Sequence, residues 1–126
     1  MKLDIYKEHI LDLYKHPHNF GEIENPTHKA EAFNALCGDQ IQVSIITENN
    51  KIKDIKFQGY GCAISIAAAS MLTDKIKNLE IEKVKNLSKD EVINMLKIPI
   101  SHQRLKCALH SLDAIKKALN KKGVEK

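Results

Sequence analysis

Between residues 40 and 58, a run of alternating apolar and polar residues and a second run with spaced apolar residues flank an Asn-Asn pair. The apolar members are Ile41, Val43 and Ile45 in the first run and Ile52, Ile55 and Phe57 in the second. A period of two is typical of a strand with one buried face, and Asn49-Asn50 is a turn signal. The segment therefore predicts a β-hairpin that forms the body of a small antiparallel sheet.

Helical periodicity dominates most of the remaining chain. Four segments carry it: 4–15, 62–77, 92–96 and 105–119. The third is preceded by a capping box in which Ser88 and Glu91 are three residues apart. The predicted fold is α+β, a small antiparallel sheet of two or three strands with helices packed on one face. The predicted core is carried by Ile41, Val43, Ile45, Phe57, Ile66 and Leu109.

The segment between the first helix and the hairpin has a different character. Residues 16–36 are rich in Pro, Asn and Gly, and only residues 30–33 fit a short edge strand. We therefore predict a loop-rich N-terminal arm over 16–36. A chain of 126 residues that is 43% hydrophobic can bury roughly two thirds of its unfolded surface, so we predict one domain over 1–126.

The net charge of +4 is spread along the helices and toward the Lys-rich C-terminal end. Because no aromatic residues are interleaved with the lysines, this pattern predicts a solvated face and no nucleic-acid partner. No stretch reaches the roughly 18 apolar residues of a membrane span, and the first residues lack the apolar region of a signal peptide. We predict a cytoplasmic protein without membrane contact.

Three cysteines lie at junctions between predicted elements. Cys37 ends the arm, Cys62 begins a helix after a Gly-Tyr-Gly turn, and Cys107 lies near the start of the last helix. An odd number of thiols in a reducing compartment argues against a disulfide framework. Any one of them alone can be a packed core residue. Three cysteines at the ends of predicted elements indicate instead that their thiols converge on one site.

A carboxylate accompanies these thiols. Asp39 lies two residues after Cys37, and strand geometry points both side chains the same way. With Cys62 and Cys107 the chain offers three thiolates and one carboxylate, which suits tetrahedral zinc or one end of an iron-sulfur cluster. A helix that begins at Cys62 favours the thiolate. The hard oxygen among soft sulfurs is typical of a site that releases what it binds.

Cations and histidines surround the last cysteine. Arg104 and Lys106 precede Cys107 and can offset the charge of the thiolates, although solvated side chains are the alternative. His110 has the spacing for a Cys-His dyad, without a visible third group to orient it. His102 or His110 can also replace a metal ligand. The other four histidines are predicted to lie on the surface: His9, His16, His18 and His28.

Four motifs follow one another along the chain: DLYKHPHNFG from Asp12, CGD from Cys37, GYGCAIS from Gly59 and RLKC from Arg104. Together they resemble the U-type iron-sulfur cluster scaffold family, which includes IscU, SufU and the N-terminal domain of NifU. The resemblance implies an α+β fold and a cysteine desulfurase partner that delivers sulfur as a persulfide. It also implies assembly of a 2Fe-2S cluster from iron and sulfur and its transfer to apo acceptor proteins.

The resemblance assigns four residues to the metal and cluster site: Cys37, Asp39, Cys62 and Cys107. Cys107 matches the family's sulfur acceptor, and Arg104 and Lys106 stand beside it. A protein with these roles is a scaffold or carrier rather than an enzyme. A homodimer bridged by a shared cluster is compatible with the same site.

Two departures from the family pattern leave an alternative open. IscU-type members have His before the last cysteine and an L-P-P-V-K motif for a chaperone, whereas this chain has Lys106 and reads ISHQR over 100–104. SufU-type members share the Arg-x-Lys-Cys and G-C-x-I-S patterns, but carry an insertion between Cys62 and Cys107 that does not fit here. SufU proteins are associated with zinc and sulfur relay. The alternative to the scaffold is therefore a zinc-dependent sulfurtransferase of the SufU type. A domain with purely structural zinc is a third possibility.

Overall fold

The computed structural model describes residues 2–34 and 38–120, apart from the side chains of residues 2 and 3. Its elements are α1 (Lys2–Lys15), β1 (His28–Asn34), β2 (Asp39–Glu48), β3 (Lys51–Tyr60), α2 (Ala63–Ile76), α3 (Ile81–Lys85), α4 (Lys89–Met95), a 3-10 turn (His102–Arg104) and α5 (Leu105–Asn120). The strands form one antiparallel sheet in the order β1-β2-β3, with helices packed against it. The predicted α+β class is confirmed.

The predicted hairpin is formed by β2 and β3, with Glu48 paired to Lys51 across the turn. Asn49 and Asn50 have φ angles of 53° and 65°. A two-residue hairpin turn of this type needs positive φ at both positions, which asparagine adopts more easily than most residues. The turn sets the register next to it, and a β-bulge between Ile46 and Thr47 shifts the register beyond that point. The shift allows Ile52, Ile55 and Phe57 to be buried together although Ile52 and Ile55 are three residues apart.

β1 is the edge strand expected in the arm, but it spans His28–Asn34 rather than 30–33. It pairs antiparallel with β2, so that Ala30 lies opposite Val43. Its side chains are mostly small or polar and give a weak period-two signal. Pairing with the strongly patterned β2 therefore extends β1 beyond what its own sequence predicts.

The core lies between the sheet and the helices α2 and α5. Ile41, Val43 and Ile45 are fully buried on the face that packs against these helices. Leu109 is only half-buried, unlike the other predicted core residues, because it lines a groove between β1 and α5. A second apolar cluster joins α1 to α2 through Leu13. No helix in the described part of the chain has the length and apolar character needed to cross a bilayer.

Helix starts follow the sequence closely, with one omission. Cys62 is the N-cap of α2, and the Ser88 hydroxyl accepts a hydrogen bond from the Glu91 N–H at 3.1 Å at the start of α4. The sequence analysis missed the short helix α3. It is held by a backbone bridge between Glu80 and Lys51, a long-range contact that local periodicity does not reveal.

The arm is fastened to α2 by polar side chains. Asn19 donates through Nδ2 to Thr73 Oγ1 at 2.9 Å and to Asp74 Oδ1 at 2.8 Å. The His18 ring Nδ1 lies 2.6 Å from Asp74 Oδ2, and Lys77 donates to the Asn19 side-chain oxygen. These contacts hold the arm against the outer surface of α2.

The contacts of Asp74 with His18 and Asn19 predict that the stability of the fold depends on pH. Burial alone would raise the pKa of Asp74, but hydrogen bonds from His18 and Asn19 and the charge of Lys77 hold that pKa below its ordinary value of 3.8. A lowered carboxyl pKa stabilises the fold above pH 3.8, and this contribution disappears as the pH falls through the folded-state pKa. Because the His18–Asp74 pair is half-exposed, Asp74→Ala should lower the free energy of unfolding by at most about 1 kcal/mol at pH 6.

Urea unfolding of the variant and the parent chain between pH 6 and 2.5 measures this effect. We expect the difference in unfolding free energy to shrink as the solution is acidified. Asp12→Ala, at an exposed position on α1, is the control and should show no comparable trend. A difference that stays constant over the whole range contradicts the assignment.

Candidate metal centre

Three of the predicted ligands converge where their elements begin. Asp39 is the first residue of β2, Cys62 caps α2, and Cys107 lies in the first turn of α5. One Asp39 oxygen and the sulfurs of Cys62 and Cys107 all lie within 4.8 Å of one another. Cys37, the fourth predicted ligand, lies outside the described residues. The convergence brings two soft donors and one hard donor within reach of one ion.

Two glycines allow this convergence. Gly59 has φ +141°, and a Cβ there would lie 1.9 Å from the Gln40 carbonyl oxygen. β3 can therefore pass closely beside the start of β2. A Cβ on Gly61 would lie 3.2 Å from Asp39 Cγ, so the chain reaches Cys62 directly beside this carboxylate. A larger residue at either glycine would push the two ligand-bearing segments apart.

Burial differs among the three ligands. Asp39 is 2% exposed and Cys107 is 0% exposed, whereas Cys62 is partly exposed. Cys62 also lies at the N-terminus of a helix of 14 residues, where free N–H groups favour negative charge. Cys62 thus lines an open cleft of about 590 Å³, whereas the buried Cys107 does not line it.

Arg104 lines this cleft and is exposed to solvent. A hydrogen bond to Cys62, together with the negative charges of the Cys62 and Cys107 thiolates, raises the pKa of the guanidinium above its ordinary value. Arg104 therefore acts as a counter-charge for both sulfurs. Lys106, the other predicted cation, lines the separate groove between β1 and α5.

Buried polar atoms near the site lack protein partners. Within the part of the chain that the structure describes, Asp39 Oδ2, Ser65 Oγ and Ser111 Oγ have no hydrogen bond. A buried carboxylate oxygen without a partner is costly in an apolar interior. The donor set and this unsatisfied oxygen both fit a site that binds a cation. Ser65 was not singled out from the sequence, although it lies three residues after Cys62 in the GYGCAIS motif.

The histidines do not belong to this cluster. His110 Nε2 lies 2.7 Å from the Ala32 carbonyl oxygen, which can only accept, so this nitrogen carries the proton. His102 is exposed in the 3-10 turn. Among the described residues, the group that can hold an ion contains Asp39 and the two cysteines and no histidine.

Comparison with known proteins is consistent with the fold and the site. Residues 5–123 match the family described as the NifU-like N terminal domain. The chain belongs to that family. This member of the NifU-like N-terminal domain family is 33% identical over 115 residues to the iron-sulfur cluster assembly scaffold protein IscU 1 of Archaeoglobus fulgidus. The matched residues cover 91% of this chain and 74% of the relative.

Two other similar proteins show where the resemblance is strong and where it is partial. The zinc-dependent sulfurtransferase SufU of Bacillus subtilis is 40% identical over 78 residues, 62% of this chain and 52% of the relative. The crystal structure of a NifU-like N-terminal protein from Brucella abortus superposes with a TM-score of 0.76, covering 92% of each chain at 19% identity. This last similarity bears on the fold alone.

Proposed function

We propose that this chain is an iron-sulfur cluster assembly scaffold. It receives sulfur from a cysteine desulfurase, builds a 2Fe-2S cluster and passes it to apo acceptor proteins. The observation that supports this most directly is the convergence of Asp39, Cys62 and Cys107 within 4.8 Å. Thiolates are the usual ligands of iron-sulfur clusters, and a carboxylate oxygen is a weaker, exchangeable ligand for iron. We propose Cys37 as the further thiolate, since it lies two residues from Asp39.

Sulfur enters through Cys107 in this proposal. The Cys107 thiolate attacks the outer sulfur of a persulfide on the desulfurase cysteine. A new S–S bond forms on Cys107, the S–S bond of the desulfurase breaks, and its cysteine leaves as a thiolate. This transfer involves no net oxidation or reduction. Conversion of the transferred sulfur to sulfide takes two electrons from a separate thiol reductant or from ferrous iron.

The burial of Cys107 adds a requirement to this step. Cys107 is fully buried, whereas residues 101–104 are all exposed and two of them, Gln103 and Arg104, line the cleft. We propose that the docked desulfurase displaces this short segment, taking Arg104 away from the sulfurs.

Exposed aromatic side chains beside the cleft are the proposed desulfurase contact. Tyr14, Phe20 and Tyr60 are 46%, 49% and 57% exposed, and all three line a shallow depression that adjoins the cleft at Tyr60 and Gly61. Exposed aromatic patches of this kind are typical of protein interfaces. The patch joins the arm to the rim of the metal centre.

A second function is favoured by a specific similarity. The chain shares 40% identity with a zinc-dependent sulfurtransferase over 78 residues, and Arg104 and Lys106 belong to the Arg-x-Lys-Cys pattern of that type. Two thiolates and a carboxylate hold zinc well, and exchange of one ligand would free a thiolate to accept sulfur. In this alternative zinc is the resting occupant and no cluster forms.

Anaerobic reconstitution distinguishes the two functions. The metal-stripped protein is incubated with ferrous iron, cysteine, a cysteine desulfurase and a thiol reductant, and is followed by visible absorption. We expect about two irons and two sulfides per cluster, and transfer of the cluster to an apo-ferredoxin. If no cluster forms while zinc-loaded protein stimulates desulfurase turnover, the sulfurtransferase function replaces the scaffold function.

A further inference from the structure

Ser65 is a buried polar residue that neither the fold nor the proposed chemistry uses. It lies in the first turn of α2, is 0% exposed, and its hydroxyl has no hydrogen-bond partner among the described residues. A buried hydroxyl without a partner costs free energy, and native proteins seldom keep one. Ser65 therefore calls for a physical explanation.

Other hydroxyls of the same helix are satisfied within the helix. Ser70 donates to the Ile66 carbonyl at 3.1 Å, and Thr73 donates to the Ala69 carbonyl at 2.8 Å. In each case the acceptor lies four residues earlier in the helix. The corresponding residue for Ser65 is Gly61, which precedes the helix. Its position in the first turn thus leaves the Ser65 hydroxyl available to a group outside α2.

The nearest candidate group is the Asp39 carboxylate. A Cβ built on Gly61 would lie 3.0 Å from Ser65 Oγ and 3.2 Å from Asp39 Cγ, so both side chains border the same small space. Asp39 Oδ2 is itself buried and without a partner. An ionised carboxylate can only accept a hydrogen bond, and a serine hydroxyl can donate one. The two unsatisfied atoms are chemically complementary.

We infer that Ser65 is a positioning residue for the metal ligand Asp39. When one Asp39 oxygen turns to a metal ion beside Cys62, the Ser65 hydroxyl donates a hydrogen bond to the other oxygen. The carboxylate then binds through one oxygen in a fixed orientation. This role rests on the proposed function only in that Asp39 must bind a metal, whether iron or zinc.

The expected effect of losing the hydroxyl is a weaker metal site. Hydrogen bonds that orient a metal ligand typically change metal affinity by about ten- to a hundredfold when they are removed. Ser65→Ala should therefore lower the zinc affinity by at least about tenfold. Because the hydroxyl is unpaired without metal, the metal-free variant should unfold at the same urea concentration as the parent chain, or at a higher one.

A double-mutant cycle on zinc binding tests the inference. Zinc affinity is measured by competition with a chromophoric chelator for the parent chain, Ser65→Ala, Asp39→Ala and the double variant. We expect the loss from Ser65→Ala to vanish in the Asp39→Ala background, because the hydroxyl acts through that carboxylate. The visible absorption of cobalt-substituted protein gives a second readout. Its ligand-field bands should change with Ser65→Ala in the parent chain only.

Ser70→Ala is the matched control, since it removes a buried hydroxyl of the same helix that is already hydrogen-bonded. It should leave zinc affinity and the cobalt spectrum unchanged. An unchanged affinity in Ser65→Ala, or an equal loss with and without Asp39, overturns the inference. So does a metal-free Ser65→Ala protein that unfolds at lower urea, because the hydroxyl would then have a structural partner.

These outcomes are separate from those that test the proposed function, because zinc and cobalt binding need neither a desulfurase nor a cluster. If reconstitution fails while the coupling is observed, Ser65 positions Asp39 in a zinc sulfurtransferase. If reconstitution succeeds without coupling, the scaffold function stands and the role of Ser65 is wrong.

Discussion

Cys107→Ala should abolish sulfur acceptance. After incubation with a cysteine desulfurase and cysteine, intact-protein mass spectrometry should detect one added sulfur on the parent chain and none on the variant. The reason is chemical: attack on a persulfide needs a thiolate, and alanine has none. The variant should still fold, although removal of a fully buried sulfur will cost some stability through the small cavity that it leaves.

Cys62→Ala is the matched control for this experiment. Cys62 is the more exposed of the two described cysteines and is the first sulfur that an approaching persulfide would meet. We expect this variant to lose metal binding but still to accept sulfur on Cys107. Normal labelling of Cys107→Ala, with loss of labelling in Cys62→Ala, would move the acceptor role to Cys62.

Chelation should leave the protein folded, whereas Phe57→Ala should destabilise it strongly. Phe57 is fully buried in the main apolar cluster and makes an edge-to-face contact with Phe20, with ring centroids 5.4 Å apart. Truncation of such a residue costs about 3–5 kcal/mol. The metal centre lies at the edge of this core, so stripped protein should keep its circular dichroism and a cooperative urea transition.

Phe33→Ala is the control for the core substitution. Phe33 is 64% exposed on the edge strand, and its truncation should change the unfolding free energy by no more than about 0.5 kcal/mol. Loss of helical circular dichroism on chelation would contradict the prediction. The metal would then supply folding free energy, and the protein would be a domain with purely structural zinc.

Much of the fold was predictable because its strongest signals are local. The alternation around Val43, the Asn49-Asn50 turn and the Ser88 cap each act within a few residues, and all three predicted elements are confirmed. The edge strand and α3 depend instead on pairing with distant backbone. Their own residues carry little pattern, so their extent could not be inferred from a single sequence.

The candidate metal centre was predictable in composition but not in geometry. Cysteines at the ends of elements and a nearby carboxylate identify the donor types, and the family motifs identify which residues are meant. Sequence position does not reveal that Cys107 is buried while Cys62 faces the cleft. It also does not reveal that Lys106 points into another groove or that Ser65 adjoins Asp39. These facts depend on how three elements pack.

The three described ligands begin three different elements, and the last of them belongs to the final helix. A ribosome must therefore release most of the chain before the donors can meet. The growing chain holds these donors far apart in sequence, and closing such long loops around one ion is entropically unfavourable before the fold exists. Newly synthesised protein should thus capture metal late, after the sheet and the helices have packed.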